Sequence, residues 1–394
     1  MGLAVEEAEI ANDETTSSAD DQHNYQMGVR SLMEKEIIMK RVPNKYILAE
    51  TERPNYILEN ANIMNSNDHL NLPVIDFAQL QGPNRSQVIT SLAKACQDYG
   101  FFQLVNHGIE ADVIDRMNDA SKRFFELPSS ERSKYMSNDM CSPVRYGTSY
   151  NQNNDKVYCW RDFLKLSCHP ALSQNFPHHW PSSPVGLREA AVEFSLGTKS
   201  VYLMLMEAIL ESLGLKKEEI ITSSSSDDDD EKDVSSKLKL EEGSQLVVMN
   251  CYPECPEPEL TLGMPPHSDY GLLTLLLQDA QVEGLQIQHQ GTWLTVKPLL
   301  NSFVVNVGDH LEILSNGRYM SVLHRVVVNS SKSRMSIASL HSVAFNCMIE
   351  PSPKLIDKAN PKRYKDTDFS SFLHHLASRQ HNNNKTFLES RRLL

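Results

Sequence analysis

Between Leu246 and Leu340 the chain is a succession of short apolar runs broken by turn residues. The runs are Leu246–Met249, Leu272–Leu277, Leu285–Gln288, Trp293–Val296, Phe303–Val307, Leu311–Leu314, Val322–Val328 and Met335–Leu340. Each is short and rich in branched or aromatic residues, as half-buried strands are. Gly308-Asp309 reads as a turn pair, and Asn316-Gly317 reads as a two-residue hairpin turn because both residues tolerate positive φ. About eight strands at regular turn spacing predict an antiparallel jelly roll rather than a parallel sheet. The expected class is mostly β with flanking helices around a double-stranded β-helix core.

The flanks supply the helices. Leu72–Phe77 predicts a strand, Pro83-Asn84-Arg85-Ser86 opens a helix carrying Val88, Leu92, Ala95, Cys96 and Tyr99 on one face, and Phe101–Val105 predicts a second buried strand. A second helix carries Val113, Met117, Phe124 and Phe125, an aromatic hairpin follows around Arg145–Thr148 and Val157–Leu164, and Leu187–Leu215 predicts a long helix. Val29, Leu32, Ile37, Ile38 and Val42 suggest a short amphipathic helix in an arm that packs on the core. The expected organisation is an acidic disordered start at 1–25, a helix-and-strand region over 26–235, the jelly roll over 236–365, and a tail over 366–394 with a helix at Phe369–Leu376. Residues 222–236, a serine tract running into Asp227–Asp230, predict a solvated loop.

Charge and composition exclude several classes. A formal net charge of -13 without a basic stripe argues against nucleic acid. No apolar run is long enough to span a bilayer, and the opening Met-Gly-Leu-Ala-Val-Glu-Glu-Ala-Glu lacks the basic and apolar segments of a secretory signal. Seven scattered cysteines do not form a disulfide framework, which points to a reducing cytoplasmic compartment, with nuclear presence left open. The expected partner is a small molecule, and the expected state is a monomer.

The chemistry concentrates in the strand-rich stretch. His267-Ser268-Asp269 and the distant His324 are two imidazoles and a carboxylate, the ligand set that holds non-haem Fe(II) with positions left open. A His-x-Asp is common by chance, and with 14 histidines a third partner is easily found. The accompanying pattern carries more weight. Alternation sets His267 and Asp269 on one strand face, and likewise Arg334 and Ser336, so a guanidinium and a hydroxyl can reach one carboxylate. An arginine inside the apolar run 326–340 needs an anionic partner. Tyr252 is a candidate third donor toward that partner, with a place in the core as its other reading. Together these suggest an Fe(II) oxygenase using 2-oxoglutarate.

Asn250-x-Tyr252, His267-x-Asp269, His324 and Arg334-x-Ser336, with Pro73–Phe77 and Tyr99–Gly108 upstream, resemble the plant 2-oxoglutarate- and Fe(II)-dependent dioxygenase superfamily over roughly residues 70 to 380. The resemblance implies Fe(2+) on His267, Asp269 and His324. It places the distal carboxylate of 2-oxoglutarate on Arg334 and Ser336, with Tyr252 and Asn250 assisting. It further implies consumption of O2, release of succinate and CO2, and ascorbate as a supporting reductant. Flavonoid-oxidising members commonly carry an aromatic residue where this chain has Leu340, and a leucine cannot stack on a flavonoid ring. Tyr146, Phe163 and Leu340 are the candidate pocket residues. The expected substrate is a small aromatic metabolite, such as a phenolic, flavonoid, indoleamine or hormone, that is hydroxylated, desaturated or demethylated. A non-catalytic metabolite-binding protein on the same scaffold is the alternative.

Overall fold

Two sheets lie face to face. The computed structural model describes residues 28–34, 40–54, 69–149, 155–169, 176–215, 238–378 and 386–393. Its strands are β1 (His69–Leu70), β2 (Val74–Asp76), β3 (Phe101–Val105), β4 (Val144–Gly147), β5 (Asp162–His169), β6 (Gln245–Tyr252), β7 (Met264–His267), β8 (Leu273–Gln278), β9 (Leu285–His289), β10 (Thr292–Val296), β11 (Phe303–Val307), β12 (His324–Val326) and β13 (Arg334–His341). A 5-stranded sheet runs β1-β10-β9-β12-β7, and an 8-stranded sheet runs β2-β3-β11-β8-β13-β6-β5-β4. Pairing is antiparallel except between β1 and β10 and between β2 and β3. This is the expected jelly roll with flanking helices.

The alternation of side chains assigns the two faces of the larger sheet different work. Val247, Met249, Leu273, Leu275, Leu277 and Ile337 face outward and pack under the helix Leu187–Ser212, whose Phe194, Leu205 and Ile209 are fully buried. Each such side chain contributes about 1.5–3 kcal/mol by leaving water. Inside the roll, Phe101 and Val304 of the larger sheet meet Leu285, Ile287 and Val296 of the smaller one. The outer cluster includes Ile75, Leu164, Leu275 and Leu388, so segments on both sides of position 236 share one core.

The N-terminal arm is anchored at Asp162, which is fully buried at the start of β5. Its carboxylate accepts from the backbone of Val29 at 2.7 Å and of Arg30 at 3.2 Å, at the start of the helix Val29–Glu34, and from the Tyr146 hydroxyl at 2.9 Å. Val29, Leu32, Val42 and Tyr46 then close over Tyr158, Trp160 and Cys255. Ile37, Ile38, the acidic start at 1–25 and the serine–aspartate segment 222–236 lie outside the described residues.

Three local expectations are corrected. The run Leu311–Leu314 is a helix, Asp309–Leu314, with all six residues buried. Asn316 and Gly317 do take positive φ, at 52° and 80°, but they close that helix, the Gly317 amide donating to the Glu312 carbonyl at 2.8 Å. Asp309, His310 and Glu312 are buried along with their apolar neighbours, so burial here does not follow the polar–apolar pattern by which strand and helix are told apart. The strand at Leu72–Phe77 shrinks to Val74–Asp76, because the Asp76 side chain caps Ala78 and starts a 3-10 turn. Near the C-terminus a second helix, Phe387–Arg391, follows the expected one and is opened by a Thr386–Glu389 capping box.

Candidate active site

β12 pairs with β7 so that His324 stands directly opposite His267, their ring centroids 4.1 Å apart. The Nδ1 of His267 lies 2.8 Å from the Pro265 carbonyl and that of His324 lies 3.2 Å from the Val322 carbonyl. A carbonyl only accepts, so each Nδ1 carries the proton and each Nε2 presents a lone pair. Both Nε2 atoms turn toward Asp269 Oδ1, at 3.9 and 3.8 Å. One ligand atom from each of the three residues lies within 4.8 Å of the others.

Asp269 is not on the strand. β7 ends at His267, so the i, i+2 alternation expected to aim the carboxylate does not apply. Two donors aim it instead: Thr274 Oγ1 at 2.6 Å and Asn306 Nδ2 at 2.8 Å both reach Oδ2, leaving Oδ1 for the imidazoles. Thr274 stands on β8 and Asn306 on β11. Neither was singled out from the sequence, although a lone asparagine within Phe303-Val304-Val305-Asn306-Val307 is a readable signal.

Burial and the adjacent His324 push His267 down to about 3, which keeps it neutral. Burial pushes the Asp269 carboxyl up, but His324, His267, Thr274 and Asn306 outweigh it and hold it below the ordinary carboxylate value. A neutral His267 beside an ionised Asp269 carboxylate is the state in which these two bind a divalent cation.

The register of β13 against β6 sets Arg334 opposite Tyr252 and Ser336 opposite Asn250. Arg334 is only 2% exposed. Its Nη2 donates to Gln278 Oε1 at 3.1 Å, while Nε and Nη1 have no hydrogen-bond partner. Burial lowers the affinity of this guanidinium for its proton, and the Tyr252 ring face sits 5.3 Å away. The side chain crosses between the sheets only because residue 284 is glycine: a Cβ there would lie 2.8 Å from Arg334 Cδ. A buried cation with two orphaned donors fits the carboxylate of a dicarboxylic co-substrate.

The three expected pocket residues separate. Leu340 is half-buried and pairs with Thr274, the donor to Asp269, so it stands on the face that carries the site. Phe163 pairs with Asn250 and belongs to the same face. Tyr146 does not. It pairs with Leu164, its ring packs in the outer core beside Phe124, and its hydroxyl serves Asp162. Register, which neighbouring aromatics on adjacent strands do not reveal, decides the face.

Comparison with known proteins accords with this geometry. Residues 243–342 match the 2OG-Fe(II) oxygenase superfamily, and residues 72–183 match the N-terminal family described as non-haem dioxygenase in morphine synthesis. The chain is 38% identical over 327 residues to flavanone 3-dioxygenase 3 of Oryza sativa subsp. japonica, covering 82% of this chain and 93% of that one. It is 35% identical over 361 residues to thebaine 6-O-demethylase of Papaver somniferum, covering 91% and 94%. The crystal structure of JOX2 in complex with 2OG, Fe and JA superposes with a TM-score of 0.75 at 31% identity, covering 90% of this chain and 95% of that chain. Fold, donor set and these extents of similarity together place the chain in the plant 2-oxoglutarate- and Fe(II)-dependent dioxygenase superfamily, as an oxidoreductase that uses Fe(II), 2-oxoglutarate and O2 on a small molecule.

Proposed function

We propose that His267, Asp269 and His324 hold the iron and that Arg334 and Ser336, assisted by Tyr252 and Asn250, hold the distal carboxylate of 2-oxoglutarate, for oxidation of a small hydrophobic, ring-bearing plant metabolite. The observation that carries this reading is the pairing of three converging ligand atoms with a buried arginine whose Nε and Nη1 lack partners. Iron and 2-oxoglutarate supply the O2-dependent oxidation, the co-substrate leaving as succinate and CO2. The chain's own residues do the placing. Pro265 and Val322 carbonyls fix both imidazole tautomers, Thr274 and Asn306 fix the carboxylate, and Phe101 closes edge-on against His324 at 5.4 Å. Phe163 and Leu340 line the substrate side.

Relatives named for flavanone oxidation and thebaine demethylation support a ring-bearing substrate. They leave hydroxylation and O-demethylation both in view. The test is purified protein with Fe(II), ascorbate and 2-oxoglutarate, offered a metabolite panel and read by mass spectrometry for a gain of oxygen, a loss of two hydrogens or a loss of CH2 alongside succinate. A folded protein that binds neither iron nor 2-oxoglutarate overturns the proposal.

A further inference from the structure

Two guanidinium groups flank Phe163 on the inner face of the larger sheet, and Lys165 stands beside it on the same strand face. Arg145 and Arg161 place their guanidinium carbons 5.3 and 4.9 Å from its ring centre. Lys165 is the next inward residue on β5, and it pairs with Arg145 of β4 on one side and Val248 of β6 on the other. The registers therefore form two rows across the sheet. One runs Ser336, Asn250, Phe163, and the other runs Ala338, Val248, Lys165, Arg145. β5 lies two strands from β13, about 10 Å at ordinary strand spacing.

Arg145 and Lys165 share Asp139 as an acidic group within electrostatic reach. Arg145 is 5% exposed, and its Nε donates to the Ser137 carbonyl at 2.9 Å; Lys165 Nζ donates to the Met140 carbonyl at 2.6 Å. Neither forms an ion pair with a carboxylate among the described residues. Asp139 and Asp155 are the acidic groups within electrostatic reach of Arg145. Burial and the neighbouring Arg161 push Arg145 down to about 10, and burial and Arg145 push Lys165 down to about 8. Arg161 extends the cluster toward the site: its Nη1 donates to Asn250 Oδ1 at 3.1 Å, and its charge contributes to lowering His267. Gathering like charges in a partly dry wall costs free energy unless an anion joins them.

We propose that this cluster is the acid-recognising end of the substrate pocket, and that the substrate is a metabolite bearing a carboxylate seated by Arg145, Arg161 and Lys165. Its apolar body lies along Phe163, Val248, Ala338 and Leu340 toward the metal ligands. The inference rests on the oxygenase reading above and narrows its substrate class to organic acids.

The experiment uses the full chain loaded anaerobically with Fe(II) and 2-oxoglutarate, titrated calorimetrically with benzoate, cinnamate and 3-phenylpropionate and with the methyl ester of each. At least one acid is expected to bind about tenfold to a hundredfold more tightly than its ester, the size of one charge-assisted contact. Lys165→Met should narrow that gap severalfold and Lys165→Arg should keep it, while 2-oxoglutarate affinity stays constant across the set. Esters binding as tightly as acids, no acid binding at all, or a gap that survives Lys165→Met and Arg145→Met alike would overturn the proposal. Failure of the oxygenase reading looks different, because 2-oxoglutarate itself then fails to bind.

Discussion

Replacing Arg334 by methionine should move stability and co-substrate binding in opposite directions. In the free protein the guanidinium is 2% exposed, makes one hydrogen bond, to Gln278, and leaves Nε and Nη1 unpartnered. A buried charge with no salt bridge among the described residues, and with Asp279 only within electrostatic reach, is a net cost, so a methionine of similar length should leave the free protein as stable or more so. The co-substrate then loses a fork of two charge-assisted bonds worth about 1.5–3 kcal/mol each. Taking only the lower end for both gives about 3 kcal/mol, or about a hundredfold in the 2-oxoglutarate dissociation constant. Thermal unfolding with and without 2-oxoglutarate reads both effects at once. The wild type at a hundred times its dissociation constant gains about 2.7 kcal/mol, and Arg334→Met should gain almost none at that concentration. Arg334→Lys, which keeps a charge without the planar fork, should fall between. An Arg334→Met protein that is less stable on its own yet keeps the full 2-oxoglutarate shift would refute the reasoning.

Four further substitutions separate the roles drawn above. His324→Ala should abolish turnover and iron retention while circular dichroism and the unfolding temperature stay near wild type; iron content measured after desalting checks it. Thr274→Val removes one of two donors to Asp269 Oδ2 and should lower iron affinity or turnover by about tenfold to a hundredfold, read by iron titration. Gly284→Ala puts a Cβ 2.8 Å from Arg334 Cδ and 3.0 Å from the Val327 carbonyl, so the 2-oxoglutarate KM should rise while iron content does not change. Tyr146→Phe removes the hydroxyl from buried Asp162 and should cost about 1–3 kcal/mol in denaturant unfolding with the substrate KM unchanged. A shifted KM with unaltered stability would return Tyr146 to the pocket.

Much of the architecture was legible because it depends on local pattern. Period-two alternation with turn residues every few positions predicts the roll, and the common face of Arg334 and Ser336 needs only that strands alternate, whereas their places opposite Tyr252 and Asn250 follow from the register of β13 on β6. The Thr386–Glu389 capping box is equally local, although the helix it opens is only five residues long. At Leu311–Leu314 the local pattern misleads, because Leu311-Glu312-Ile313 alternates like a strand while Asp309, His310 and Glu312 are in fact buried in a helix.

The sequence by itself determined which side chains could do the chemistry: two imidazoles, one carboxylate, and an arginine that an apolar strand had no reason to hold. Only the tertiary structure decided where they point. His267 and His324 meet because β12 lies in register with β7, and Asp269 reaches them from beyond a strand end because β8 and β11 each bring it a donor. Phe163 and Tyr146 are alike in sequence, yet pairing with Asn250 turns one toward the site and pairing with Leu164 turns the other into the core. A one-residue change of register exchanges the faces of a whole strand, and register is set by contacts between segments far apart in the chain.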